Sequence, residues 1–140
     1  MATFEAVSAI VKETYRKLWN DWYAGYTPAR ALLQVDPSDE CSRYSHSHNL
    51  LIIAIPEGNF DDDDILVASA WPIWKVELVH EMLHELQAKT PCVVTPQAEA
   101  LWSKYAPPAC GDGHGPEFFQ AIVEKAPYFS MTPEQLAARI

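Results

Sequence analysis

Residues 80–84 of the 140-residue chain read HEMLH, two histidines four positions apart with a glutamate directly after the first. Each residue of an α-helix turns by about 100°, so His80 and His84 would lie about 40° apart and one turn apart in height. Two imidazoles so arranged can reach one metal ion, and Glu81 would lie on the same side of the helix. The spacing predicts a helical metal site, and imidazole ligands favour Zn²⁺.

Two histidines are too few for a catalytic zinc ion, which commonly has three protein ligands and an open position for water. His114 is the first candidate for the third ligand, because its neighbouring glycines let a loop approach a metal closely. Glu99 is the alternative, since some zinc peptidases take a glutamate from a following helix. His46, His48 and Asp112 are further candidates for the third ligand, and Glu99, Asp112 or Cys110 could fill the remaining position of a closed site.

The residue after His80 has the chemistry that hydrolysis requires. Bound zinc lowers the pKa of its water to about 7, and Glu81 can take the water's proton and later give it to a leaving amine. This combination suits the hydrolysis of an amide, either a peptide bond or a smaller compound. The alternative is a zinc ion with four protein ligands that only stabilises a non-catalytic, protein-binding module.

The helix that carries HEMLH is predicted over about residues 72–88, with Pro72 in its first turn. Val79, Met82 and the neighbouring leucines fall on the arc opposite the motif, which predicts an amphipathic helix with the histidines on its polar face. Glu85 is expected on that polar face, either as a partner of a metal ligand or in contact with solvent.

The other elements complete a small α+β domain. Apolar residues at spacings of three and four predict an N-terminal helix over 4–22, and apolar runs predict strands over 31–35 and 50–55. Proline and capping signals predict later helices from 96 to about 105, from 117 to about 126, and after Thr132. We expect a single domain over residues 1–140, with a small sheet packed by the N-terminal and HEMLH helices and further helices towards the C terminus.

Composition restricts the partners and the compartment. The chain has 19 acidic and 10 basic residues, a net charge of −9, which disfavours binding to nucleic acid. Its three cysteines form no CxxC pair, and no apolar run approaches the roughly 20 residues of a membrane span. We therefore expect a cytoplasmic protein with no membrane segment. The protein or peptide substrate follows from the metal chemistry above, and the sequence does not indicate an oligomeric state.

Two further features have residues able to bind metal. His46 and His48 flank a serine, and Asp61–Asp64 is an unbroken acidic run. We expect the two histidines to be exposed or hydrogen-bonded. The aspartates lack the glycine and the spaced ligands of an EF-hand, which favours a solvated loop.

HEMLHEL at 80–86 and GDGHGPEF at 111–118 together resemble the SprT-like zinc metalloproteases, which include the Spartan-type proteases of DNA–protein crosslink repair. The resemblance covers about residues 74–122. It implies a minimal zincin-like fold, zinc bound by His80, His84 and His114, and peptide-bond hydrolysis with Glu81 as the acid/base. It also implies substrates associated with DNA, although the acidic charge disfavours direct DNA binding. The chain lacks the CxxC zinc ribbon that many bacterial members carry.

Overall fold

The computed structural model describes residues 4–22, 27–35, 42–55, 71, 73–90, 93–105 and 114–140. These residues form five α-helices, one turn of 3-10 helix and a three-stranded mixed sheet, which confirms the predicted α+β class. The chain divides into two compact units, residues 1–85 and 86–140. The single-domain organisation expected from the sequence stays a prediction.

The first unit begins with helix α1, Phe4–Trp22, over the range that the periodicity predicts. One stripe of its side chains is buried because those positions repeat every three or four residues: Val7, Val11, Tyr15, Trp19 and Trp22. The helix packs on the sheet through strand β1, Arg30–Val35. The aromatic residues of α1 are therefore part of the core.

Strand β3, Leu50–Ile55, is the centre of the sheet, between β1 and the short strand β2, Arg43–Ser45. It pairs parallel with β1 and antiparallel with β2. Its central place explains its continuous apolar sequence, since a strand with neighbours on both edges and cover on its faces has few exposed positions. Strand β2 has no such signal and was not predicted.

Helix α2, Ile73–Lys89, carries the HEMLH motif. The predicted apolar arc is buried, with Leu78, Val79, Met82 and Leu83 all fully inaccessible to solvent. The opposite face is polar as predicted, but the expectation that it lies outside the core is wrong for its acids, because Glu81 is 5% and Glu85 0% exposed. Hydrogen-bond partners from other parts of the first unit cover them, as described below.

The second unit contains helices α3 (Pro96–Lys104), α4 (Pro116–Lys125) and α5 (Pro133–Arg139), with a 3-10 turn at Ala126–Phe129. The predicted caps are confirmed: Thr95 caps α3, and Thr132 forms a capping box with Gln135 on α5. The side-chain oxygen of Gln120 accepts hydrogen bonds from the backbone N–H and hydroxyl of Thr95, at 3.0 and 2.8 Å, and so joins α3 to α4. Within the described ranges, no helix combines the length and hydropathy of a membrane span.

Candidate metal centre

The histidine pair of α2 has the arrangement that the spacing predicts. The ring centroids of His80 and His84 lie 5.1 Å apart, with 56° between the ring planes, and both side chains are half-buried. The helical repeat alone places both rings on the same side of the helix. The pair can therefore present two ring nitrogens in one direction.

His114 directly precedes α4, whose N-cap is Gly115 and whose first residue is Pro116. The imidazole is 6% exposed, and Phe118 packs against it edge-to-face at a centroid distance of 4.9 Å. This aromatic contact limits rotation of the His114 ring. A ring held in this way loses little rotational freedom when it binds a metal.

His80, His84 and His114 could together hold a metal ion, since each offers one ligand atom and these atoms all lie within 4.8 Å of one another. The donor set fits zinc, because three neutral imidazoles are a known catalytic zinc ligand set. Glu99 is exposed and does not join the group. Cys110 and Asp112 lie outside the described residues.

Glu81 directly follows His80 in the chain, and its carboxylate is buried. Burial and, to a smaller extent, the negative charge of Glu77 raise its pKa to about 8, against the opposing effect of a backbone hydrogen bond from Tyr44. The Tyr44 contact means that β2 fixes the position of the Glu81 side chain. A metal cation nearby would favour the ionised form of the carboxylate.

Glu77, one helical turn before Glu81, has a second contact with the same part of the sheet. Burial raises its pKa, and a side-chain hydrogen bond with Ser42 lowers it. The Ser42 hydroxyl in turn accepts the backbone N–H of Ala54, at 2.9 Å. The residues at and just before β2 therefore bind both acids on this side of α2.

Glu85 takes part in three hydrogen bonds with residues outside α2. The Tyr15 hydroxyl lies 3.0 Å from both of its carboxylate oxygens, and the backbone N–H of Ala29 lies 3.1 Å from Oε2. The same N–H donates to the Tyr15 hydroxyl oxygen at 2.6 Å. Glu85 thus joins the motif helix to α1 and to the segment before β1, and of the two alternatives expected for it, contact with solvent is wrong.

The pKa of Tyr15 lies well above its ordinary value. Burial is the largest cause, and the negative charge of Glu85 is the second. Tyr15 therefore stays a neutral hydrogen-bond donor over the physiological pH range. No local sequence signal identifies the pair, because its members are 70 residues apart. Tyr15 is recognisable only as a member of the apolar stripe of α1.

We expect Tyr15→Phe to lower the free energy of unfolding by roughly 2–3 kcal/mol, since it removes a donor from a buried carboxylate. Urea denaturation monitored by circular dichroism measures the change. Tyr128→Phe is the matched control, because that ring is 52% exposed, and we expect a change within about 0.5 kcal/mol. Equal stability of the two variants would contradict a structural role for the Tyr15–Glu85 hydrogen bonds.

The remaining candidate residues are not part of this group. His46 and His48 are exposed in the turn between β2 and β3, where Ser45 Oγ lies 3.0 Å from His48 Nδ1. They belong to no group of three potential ligands among the described residues. The run Asp61–Asp64 lies outside the described residues.

Comparisons with known proteins do not identify a family. No protein-family model matches the chain, and neither a curated protein nor a solved structure matches it. The similarity to SprT-like proteases stays a prediction from the two motifs. What the protein does must therefore be inferred from the chemistry of its own residues.

Proposed function

We propose that the chain is a zinc-dependent peptidase of the SprT-like kind, with His80, His84 and His114 as ligands and Glu81 as the catalytic acid/base. The observation that carries the proposal is the group of three imidazoles whose ligand atoms lie within 4.8 Å of one another, with Glu81 directly after the first. Three histidines leave one position of a tetrahedral ion for water, as hydrolysis requires.

Each residue has a defined part in the proposed reaction. Zinc bound by the three histidines would acidify water and polarise the carbonyl of the substrate. The Glu81 carboxylate accepts the proton of the attacking water and gives it to the leaving nitrogen, so that an amine departs. The backbone hydrogen bond from Tyr44 holds the Glu81 carboxylate in place for both transfers.

The position of β2 supports a peptide as the substrate. In the sheet formed by the described residues, β2 is an edge strand, and its residue Tyr44 contacts the catalytic glutamate through the backbone. An extended peptide can bind by adding to such an edge through main-chain hydrogen bonds. Peptide bonds held along β2 would lie near Glu81, which favours peptides over small amides.

Metal removal tests the proposal. We expect the purified chain to cleave an unfolded protein such as denatured casein, to lose this activity after dialysis against a chelator, and to regain it with stoichiometric zinc. A parallel assay with added single-stranded DNA shows whether the activity depends on DNA. A second assay, with a small amide as the substrate, shows whether the substrate must be a peptide. The net charge of −9 leads us to expect no stimulation by DNA.

A different pair of results would support the non-catalytic alternative. In that case the chain would bind zinc with four protein ligands, would lose stability when the metal is removed, and would cleave neither substrate. A crystal structure of the zinc-loaded chain distinguishes the two, because it shows whether water or a fourth protein side chain occupies the remaining position. A water ligand beside three imidazoles is the expected result.

A further inference from the structure

A cavity of about 370 Å³ lies between α1 and the N-terminal end of β1, within the first unit. Its volume is in the range of ordinary small-molecule sites. None of the three histidines of the proposed metal centre lines it. A ligand in this cavity would therefore be distinct from the substrate of the proposed peptidase.

The rim of the cavity is positively charged, whereas the net charge of the whole chain is negative. Lys12, Arg16 and Arg30 line it, three of only ten lysines and arginines in a chain of net charge −9. Lys12 and Arg16 are four residues apart on α1 and so project from one face of the helix. No acidic side chain is among the described residues that line the cavity.

Two acidic groups contact residues that line the cavity: the buried Glu85 contacts Tyr15 and Ala29, and the exposed Glu13 contacts Arg16. Arg16 forms an ion pair with Glu13 on α1, and both side chains are well exposed, at 69% and 58%. Exposed pairs of this kind are weak, because water and salt screen them. An anion in the cavity could therefore replace Glu13 as the partner of Arg16.

The floor of the cavity is apolar and rigid. The rings of Tyr15 and Trp19 stack at a centroid distance of 5.9 Å with 24° between their planes, and both residues line the cavity. The Tyr15 hydroxyl is held by Glu85 and Ala29. Tyr15 and Trp19 are only 4% and 2% exposed, so these rings support the floor from within the core, and the apolar surface next to the three cations includes the more exposed Pro28 and Leu32.

We propose that this cavity binds a small organic anion, with its phosphate or carboxylate group held by Lys12, Arg16 and Arg30 and its apolar body against the apolar lining that includes Pro28 and Leu32. Guanidinium groups suit both kinds of anion, because their paired N–H groups match the geometry of two oxygens. The apolar floor selects against inorganic anions, which would leave it in contact with water. The inference does not depend on the proposed peptidase activity.

Isothermal titration calorimetry of the full chain with four probes tests the proposal. Adenosine monophosphate and naphthoate combine a flat body with a phosphate or a carboxylate, whereas adenosine lacks the charge and inorganic phosphate lacks the body. We expect at least one of the first two to bind, and the better one to bind about tenfold or more tightly than either control probe. Its affinity should fall as salt is added.

Substitutions locate the binding site on the molecule. We expect Arg30→Gln and Arg16→Gln each to weaken the better probe about tenfold, since each removes charge-assisted hydrogen bonds. Lys17→Gln is the matched control, because Lys17 is exposed on the same helix but is not among the residues that line the cavity. Circular dichroism of each variant checks that the fold is retained.

Three results would overturn the proposal. One is the failure of both organic anions to bind at concentrations near 1 mM, roughly the weakest affinity of a specific site. Another is an equal loss of affinity in Lys17→Gln and Arg30→Gln, which would indicate nonspecific attraction to charge. The third is binding of single-stranded DNA with no binding of adenosine monophosphate or naphthoate, which would indicate a nucleic-acid surface instead.

Discussion

Glu81→Gln is expected to reduce peptide hydrolysis by on the order of 10²–10⁴-fold while the zinc content of the protein stays at the wild-type level. Glutamine has nearly the same shape as glutamate and retains an oxygen that can accept the backbone hydrogen bond from Tyr44. It cannot accept the proton of the attacking water, so only the proton transfer is removed. The loss should therefore appear in kcat.

Single-turnover assays and metal analysis by mass spectrometry measure the two expected effects together. Glu99→Gln is the matched control, because Glu99 is exposed and is not part of the histidine group. We expect this control to keep both activity and zinc, which would also exclude Glu99 as a ligand. An unchanged rate in Glu81→Gln would remove Glu81 from the mechanism.

His114→Ala is expected to weaken zinc binding by at least about 100-fold and to abolish hydrolysis. Loss of a residue that only supports a ligand costs roughly 10–100-fold in affinity, so loss of a ligand should cost no less. Competition with a chromophoric chelator measures the affinity. His48→Ala is the matched control, because His48 is exposed and lies outside the group of three.

The burial of His114 requires a second variant, since alanine would also leave a space beside Phe118. His114→Gln fills more of that space, and we expect it to keep the fold by circular dichroism and still to lose zinc. Wild-type zinc affinity in both His114 variants would mean that the metal binds elsewhere. The metal centre proposed here would then be wrong.

Together the two experiments separate the metal from the proton transfer. A chain that keeps zinc but not turnover in Glu81→Gln, and loses both in His114→Ala, behaves as a metallopeptidase. A chain that loses stability in His114→Ala, and has no activity to lose in Glu81→Gln, behaves as the zinc-stabilised module.

Most helices and both longer strands could be predicted because their signals are local. The helix at Phe4–Trp22 follows from a repeat of apolar residues, and the last helix from a threonine and a glutamine three positions apart. Strand β2 escaped prediction because its three residues form a strand only through pairing with β3. Local pattern carries no information about such pairing.

The burial of the acids on α2 could not be predicted from the sequence. Helical geometry puts Glu81 on the same side of the helix as the histidines, and amphipathic reasoning predicts that this side is polar and lies outside the core. Glu85 is instead fully buried, with hydrogen bonds to Tyr15 and Ala29. The sequence pattern does not distinguish a buried acid from an exposed one when its hydrogen-bond partners are far away in the chain. Periodicity shows which positions are polar, but not which residues they contact.

The pairing of His80 with His84 and the place of Glu81 beside them were already determined by five consecutive letters, because the α-helical repeat sets those distances locally. The choice of His114 over Glu99 in the histidine group, and the burial of both glutamates, depend on residues far apart in the chain. Those contacts form only when the chain is folded, since they arise from the packing of separate helices and strands. Side-chain type therefore specified the kind of chemistry, and tertiary packing decided which side chains are close enough to carry it out.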